Sequence, residues 1–413
     1  MARNLIETAN RGDIYQWEVD EMKTKTDTKL KQTDQVDDEA EFGGDNICIS
    51  GNAASANFKK GGKEASEQEE DKNDISNSEV ASMPIDEGAS DVANLNFNST
   101  SSIPWMTPRT QVNDPWIQLH NEMVEFYRLY GPSKAQNLIR KNLFMKVKRV
   151  IKKFFPGAVV KMFGSTAAML YLPKSDIDIV VFLPKSQNDH KNARKLHKLI
   201  NKISWVKSCE CIGAKVPIVK LEDKEAGLFV DISFSRANGV AALSFIKKYL
   251  ILYPELKYLL IIVKAFLKTR DLNETFHGGM SSFVCTLLII SYLQEIKKNE
   301  ENHSLLLSEH LINFFHLYGV RFNYNELGIS IRNGGAYFLR EERDWMALHR
   351  NKSVTLCVEN PQDSSIDLGK GVFNMPQIHT AFQHAYDTIR FNSSKSESLL
   401  ECIMGDTSLL QIE

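Results

Sequence analysis

The chain has 413 residues and a mass of 46.9 kDa, enough for two packed domains. Its 50 basic and 52 acidic side chains give a formal charge of -2, which argues against autonomous high-affinity capture of a polyanion. Neither a secretory segment nor a sufficiently long uninterrupted apolar span is apparent, so no membrane association is expected.

Residues 1–110 read as a disordered acidic arm. The runs KTKTDTKLKQTDQVDDEAE and KKGGKEASEQEEDKNDISNSE are rich in charge, Ser, Asn and Gly and carry no sustained apolar stripe. Ile14, Tyr15, Trp17 and Val19 form a small apolar group, either incidental or a docking motif. The arm's acidic bias disfavours it as a surface for binding polyanions.

Structure is expected to begin at Asp114-Pro115-Trp116, a helix cap followed by proline in the first turn. Trp116, Leu119, Met123, Phe126, Tyr127 and Tyr130 recur at helical spacing and read as core. Gly131-Pro132-Ser133 ends that helix and opens another through Phe154. There Leu138, Leu143, Val147 and Ile151 supply an apolar face, while Lys146, Lys148, Arg149, Lys152 and Lys153 form a basic one. That basic face is either solvated or lines the phosphates of a nucleic acid, and geometry must decide.

A strand over 158–163 enters a turn at Gly164-Ser165, and a second strand covers 177–183. Alternation puts Asp176 and Asp178 on one face, where two like charges are costly unless water or cations surround them. A helical pattern over 188–203 precedes strands at 215–221 and 228–234, the last of which carries Asp231. The three carboxylates suit divalent cations, which take oxygen ligands and bridge carboxylates to phosphate oxygens. Gly164 permits close backbone approach, and the following amide and the Ser165 hydroxyl can hold a terminal phosphate. The pattern does not match a nucleoside-triphosphatase P-loop.

From 242 to 270 the chain turns helical, with Lys264 and Lys268 one turn apart on a shared face. Gly278-Gly279-Met280-Ser281-Ser282-Phe283 then opens an apolar helix whose N-terminus can take phosphate, with Ser282 as contact or as cap. The six cysteines are scattered. Cys209-x-Cys211 lacks a second ligand pair, so structural zinc is not indicated and a reducing compartment is the simpler inference.

Taken together, DPWIQLHNEMVEFYRLYGPS, MFGSTAAMLYLPKSDIDIVVF, VDISFSRANGV, GGMSSF and VENPQDSSIDLGKG, spanning 114 to 371, resemble the DNA polymerase beta nucleotidyltransferase superfamily. More narrowly, they resemble the nuclear poly(A) polymerases that mark RNA for the exosome. The resemblance implies an α/β fold, a mixed-sheet polymerase-beta-like catalytic domain (137–240) joined to a mostly helical central domain. The central domain would comprise 114–136 and 241–400, followed by a tail at 401–413.

The same resemblance makes Asp176, Asp178 and Asp231 the catalytic and metal-binding carboxylates, with Mg2+ or Mn2+, and Gly164 and Ser165 the phosphate turn. Lys264, Lys268 and Ser282 become triphosphate contacts, and Asn360 stands in a nucleotide-recognition loop where the family commonly has Asp. Ile366 stands where related uridylyltransferases carry histidine, which favours ATP over UTP. Tyr171 and Phe338 are candidate base surfaces, although packing is the stronger reading. The expected activity is AMP transfer from ATP to RNA 3′ ends in the nucleus. A zinc-knuckle RNA-binding protein and an RNA helicase are the expected partners. Uridylyl transfer and an inactive RNA-processing scaffold stand as alternatives.

Overall fold

The structure, a computed structural model, describes residues 103–184, 188–213, 216–234, 237–298, 305–343, 345, 355–393 and 396–410. Most of the expected acidic arm, including Trp17, lies outside the described residues. Its expected end at 110 is corrected: Trp105 and Met106 are buried, and the Trp105 ring meets Phe126 and Tyr130 edge-on at 5.2 and 6.4 Å.

Two helices lead into the catalytic sheet. Asp114 caps α1 (Pro115–Tyr130), its carboxylate accepting from the backbone N–H of Trp116 and Ile117. Ser133 caps α2 (Lys134–Phe154). The apolar stripe of α2 is Leu143, Val147 and Ile151, whereas Leu138, expected on that face, is exposed.

A five-stranded mixed sheet follows, in the order β1-β2-β5-β4-β3. Its strands are β1 (Val159–Phe163), β2 (Ile177–Phe182), β3 (Val206–Ile212), β4 (Ile218–Asp223) and β5 (Phe229–Phe234). β2 and β5 run parallel with Asp178 opposite Asp231, and antiparallel β4 sets Lys220 opposite Asp231. The edge strand β3 has no counterpart in the expected pattern, because its inward positions are mostly Cys209 and Cys211, half-buried and weakly apolar, between exposed Lys207, Ser208 and Glu210. Turn 164–165 is not a simple turn but the start of a four-residue helix, α3 (Gly164–Ala167).

One face of this sheet packs on α2 and α4 (Asp189–Ile200). Ile177, Ile179, Val181, Val219, Leu221, Val230, Ile232 and Phe234 meet Leu143, Val147, Ile151, Ala193, Leu196 and Ile200 in one core. Each buried Val, Leu, Ile or Phe among them contributes about 1.5–3 kcal/mol by leaving water. The alternate residues, Asp178, Lys220 and Asp231, therefore emerge on the opposite face.

The larger core is mostly helical. The helical stretch expected over 242–270 is two helices, α5 (Ala237–Leu252) and α6 (Leu256–Lys268), parted at Tyr253-Pro254 because proline removes a helix donor. They pack with α1, α7 (Ser282–Lys298), α8 (Leu307–His316), α9 (Met375–Asn392) and α10 (Leu399–Met404). The hairpins β6 (Leu327–Ser330)–β7 (Ala336–Leu339) and β8 (Glu359–Asn360)–β9 (Asp363–Asp367) attach to it. The expected tail from 401 is also corrected: Ile403, Met404 and Leu410 are buried in this core.

Candidate active site

A cleft of about 650 Å³ lies where the catalytic sheet meets the helical core. Ser165, Lys174, Asp176 and Asp178 line one side, and Lys264, Lys268, Asp271, Glu274 and Ser282 the other. Its size suits a nucleotide-sized ligand.

The segment joining Gly164 to Asp176 is tied down from beneath. Arg140, only 1 % exposed, donates to Ser175 O and Pro173 O at 2.7 Å each, and its guanidinium stacks 4.2 Å from the Tyr171 ring centre. Thr166 Oγ1 donates to Asp176 O at 3.2 Å, and Lys264 Nζ to Leu170 O at 2.6 Å. Gly164 holds φ +65°, and a Cβ there would meet the Asp178 carboxylate directly. Glycine is required on both counts.

Asp176, Asp178 and Asp231 face one another closely enough for their charges to disturb the ionisation of Asp178 and Asp231. Burial first, then the charges of Asp231 and Asp176, push the Asp178 carboxyl up to about 7. Burial also raises Asp231, against the pull of Lys220, with Asp176 adding to the rise. Lys220 Nζ pairs with Asp176 Oδ2 at 2.5 Å and stands 3.6 Å from Asp231 Oδ1. Burial works against the Lys220 charge, but the hydrogen bond and charge of Asp176, with Asp231, outweigh it and raise its pKa. Asp231 Oδ1 is buried without a hydrogen-bond donor.

These observations bear on a divalent cation. Among the described residues no group of three or more His, Cys, Asp or Glu side chains is gathered tightly enough to hold one as it stands. The donor chemistry nevertheless fits: oxygen-only ligands, an orphaned carboxylate oxygen, and mutual repulsion that already draws an ammonium between two of the three acids.

Lys264 is half-buried, and desolvation lowers its pKa to about 8 although Cys285 and Asp178 oppose the shift. Lys268 lines the cleft, and its ammonium has no hydrogen-bond or ion-pair partner among the described residues. The expected alternative between contact and cap at α7 divides between neighbours. Ser281 Oγ accepts from Val284 N at 3.2 Å as the cap, which leaves the Ser282 hydroxyl facing the cleft.

Asn360 is not brought to the cleft lining. It is buried, and its Oδ1 accepts from Gln362 N at 3.0 Å, shaping its own hairpin. Ile366 is exposed on β9. Tyr171 is fully buried under Arg140, and Phe338 packs on Gly328, Arg343 and Trp345, so both serve packing. The basic residues of α2 lie on the side of the sheet away from the cleft, and Lys146 is already paired with Asp223 and Glu225 at 3.6 and 3.0 Å.

Lys220 and Arg140 were not anticipated. Arg140 carried a signal: it falls three residues before Leu143 on the stripe of Leu143, Val147 and Ile151, a charge on a core face. Lys220 alternates with Val219 and Leu221, but which strand it would face depends on pairing.

A polymerase-beta-like nucleotidyltransferase palm, with Asp176 and Asp178 facing a helical domain across a nucleotide-sized cleft and Asp231 opposite Asp178 on the next strand, is the class that this fold and site define. Residues 119–250 match the model of the "Poly(A) RNA polymerase, mitochondrial-like, central palm domain", and 306–365 that of the "Cid1 family poly A polymerase". The chain is 37% identical over 283 residues to Poly(A) RNA polymerase CID14 of Cryptococcus neoformans, covering 67% of this chain and 37% of that protein. It is 30% identical over 300 residues to the Inactive non-canonical poly(A) RNA polymerase protein Trf4-2 of Drosophila melanogaster, covering 68% of this chain and 72% of that one. A solved structure described as the polymerase core of TRAMP, a RNA surveillance complex, superposes with a TM-score of 0.66. It is 28% identical and covers 76% of this chain and all of that one. The chain therefore belongs to the poly(A) RNA polymerases of the Trf4/Cid14 type. It spans less than half the length of the first of these curated relatives.

Proposed function

We propose that this chain is a template-independent polynucleotide adenylyltransferase that adds AMP from ATP to RNA 3′ ends with release of pyrophosphate. The observation that carries it is the convergence of Asp176, Asp178 and Asp231 on one sheet face, with Gly164-Ser165 beside them and Lys264 and Lys268 across the cleft. Inactive relatives exist in this family, as the name of the Drosophila protein states. Against the scaffold reading, all three acids are present here and strain against one another electrostatically.

Asp176, Asp178 and Asp231 would hold Mg2+ or Mn2+, which when bound lower the pKa of an attacking hydroxyl and stabilise departing pyrophosphate. The protein's own groups bind and align. Gly164 leaves room for the triphosphate next to Asp178, and Ser165 offers a hydroxyl and an amide to its terminal phosphate. Lys268 and Ser282 contact the phosphates from the helical side, where positive charge offsets the charge spread over the phosphoryl oxygens. Lys264, fixed on Leu170 O, adds charge from beneath. Arg140 holds the segment leading to Asp176, so the hydroxyl, the α-phosphorus and the leaving oxygen meet in a fixed line. Asn360 acts through the shape of its hairpin.

The proposal extends to nuclear RNA surveillance, with a zinc-knuckle RNA-binding protein and an RNA helicase as partners. The TRAMP polymerase core as structural neighbour supports this setting. All four nucleoside triphosphates should be compared on one RNA primer with Mg2+ or Mn2+, with and without a zinc-knuckle partner. ATP is expected to be incorporated in both conditions. Preferential UTP use would replace this reading with uridylyl transfer, and no incorporation under any condition would establish the scaffold.

A further inference from the structure

The sheet face away from the cleft is covered by α2 and α4, and both turn a basic surface outward. From Lys141 onward α2 exposes Lys141, Arg149, Lys152 and Lys153, with Lys148 partly exposed, and it contains no acidic residue. α4 exposes Lys191, Arg194, Lys195 and Lys198 around a shallow depression completed by Asn188 and His190. Its only acid is Asp189. The helices touch one another, with Lys195 Nζ over the Phe155 ring at 5.0 Å just past the end of α2, so the two rows form one surface. None of these lysines or arginines has an ion-pair partner among the described residues, unlike Lys146 on the flank of α2.

We propose that this joined face of α2 and α4 is an RNA-backbone surface that holds the substrate upstream of the 3′ end being extended. The proposal rests on the transferase reading for its choice of RNA. Unpaired cations on one surface raise the local positive potential, and they bind phosphates by releasing condensed counterions, without needing base contacts. An acidic protein partner fits less well. Protein interfaces have an apolar, desolvated centre, but α4 exposes no large apolar side chain, and the stretch of α2 from Lys141 exposes only Met145. The whole-chain charge of -2 conceals this surface. Residues 1–102 hold 10 basic and 22 acidic side chains, leaving 40 basic and 30 acidic on the remainder.

The test is fluorescence anisotropy of the full chain with end-labelled single-stranded RNA, without nucleotide, over a range of salt concentrations. A triple variant, Lys191→Glu, Arg194→Glu and Lys198→Glu, is compared with the same three positions changed to Gln, and melting curves check folding. For a long RNA, the Glu variant should lose tenfold or more in affinity at low salt and the Gln variant severalfold. Both should show a shallower log–log salt slope, by about 2 for three phosphate contacts on a single strand. A hexamer, reaching only the cleft, should bind wild type and variants alike. Unchanged affinity and slope for the long RNA would overturn the proposal, as would an equal loss for the hexamer. So would intact RNA binding with lost binding of a poly-glutamate probe, which would make the face a protein-docking site. A wild-type chain that binds long RNA through this face yet incorporates no nucleotide would sink the transferase reading and leave the surface standing.

Discussion

At Asp178 the electrostatic conflict of the cleft is concentrated. Its pKa of about 7 lies above the ordinary carboxylate value, so without a cation the folded chain holds a proton there that the unfolded chain has already lost. Stability from this group is present below the unfolded pKa, near 3.8, and is lost as pH rises through about 7. Asp178→Asn should therefore remove much of that slope in chelator and melt higher than wild type at pH 8. Primer extension should fall about a thousandfold, because the variant gives up a charge that the proposed transfer needs. A melting scan over pH beside an extension assay checks both, and a variant with wild-type extension would remove Asp178 from the site. Lys220 is the counterpart. Lys220→Met leaves Asp176 and Asp231 without their ammonium, so the cation-free protein should melt lower while Mn2+ stabilises it at about fivefold lower concentration. That factor follows from removing about 1 kcal/mol of charge competition at a partly exposed pair. Melting temperature against Mn2+ concentration reads it, and an unchanged midpoint would show that Lys220 does not compete with the cation.

At the scale of elements, α1 and α10 are stitched together across the whole described chain. Glu122 is fully buried, and its carboxylate accepts from Ser398 Oγ at 2.7 Å, Leu400 N at 3.1 Å and Gln118 Nε2 at 3.0 Å. Burial raises its pKa against the pull of those donors. Glu122→Ala strands the Ser398 hydroxyl and the Leu400 amide in the core and should cost about 2–4 kcal/mol. Denaturant unfolding should show it, and a loss below 1 kcal/mol would mean that α10 is held by its apolar contacts alone. This clamp also marks a limit of sequence reading. The helical stripe of Trp116 to Tyr130 announces α1, and alternation announces β2 and β5, because their periods are local. That Glu122 meets Ser398, or Lys220 meets Asp231, depends on packing between distant segments and has no local period. Trp105 reads as part of the acidic arm for the same reason: one aromatic beyond a polar tract has no repeat to betray it, and only the surface offered by Phe126 and Tyr130 gives it a core to join. The Asp triad was legible because the acids interrupt apolar strands in phase. The β8–β9 hairpin was legible as a motif, but its sequence could not show that Asn360 spends its oxygen on Gln362 N.

For the whole molecule, net charge proves a poor guide to what each part attracts. The near-neutral total argued against autonomous RNA capture, yet residues from 103 onward carry an excess of ten basic side chains, and residues 1–102 an excess of twelve acidic ones. Two such populations on one chain partly cancel for a charge farther from both than they are from each other, and salt confines the effect to roughly the Debye length, about 10 Å at 0.1 M. An approaching RNA is therefore steered less strongly by the full chain than by the basic part alone. A chain lacking residues 1–102 should bind single-stranded RNA more tightly than the full chain at low salt, mainly through faster association. The advantage should shrink as salt rises and vanish once screening shortens the range of the acidic charge. Replacing the acidic residues between 34 and 91 with Asn and Gln in the full-length chain should reproduce the gain without any change of length. Stopped-flow association rates at several salt concentrations measure the effect directly. If truncation and neutralisation both leave the association rate unchanged at low salt, the acidic segment does not screen the basic face.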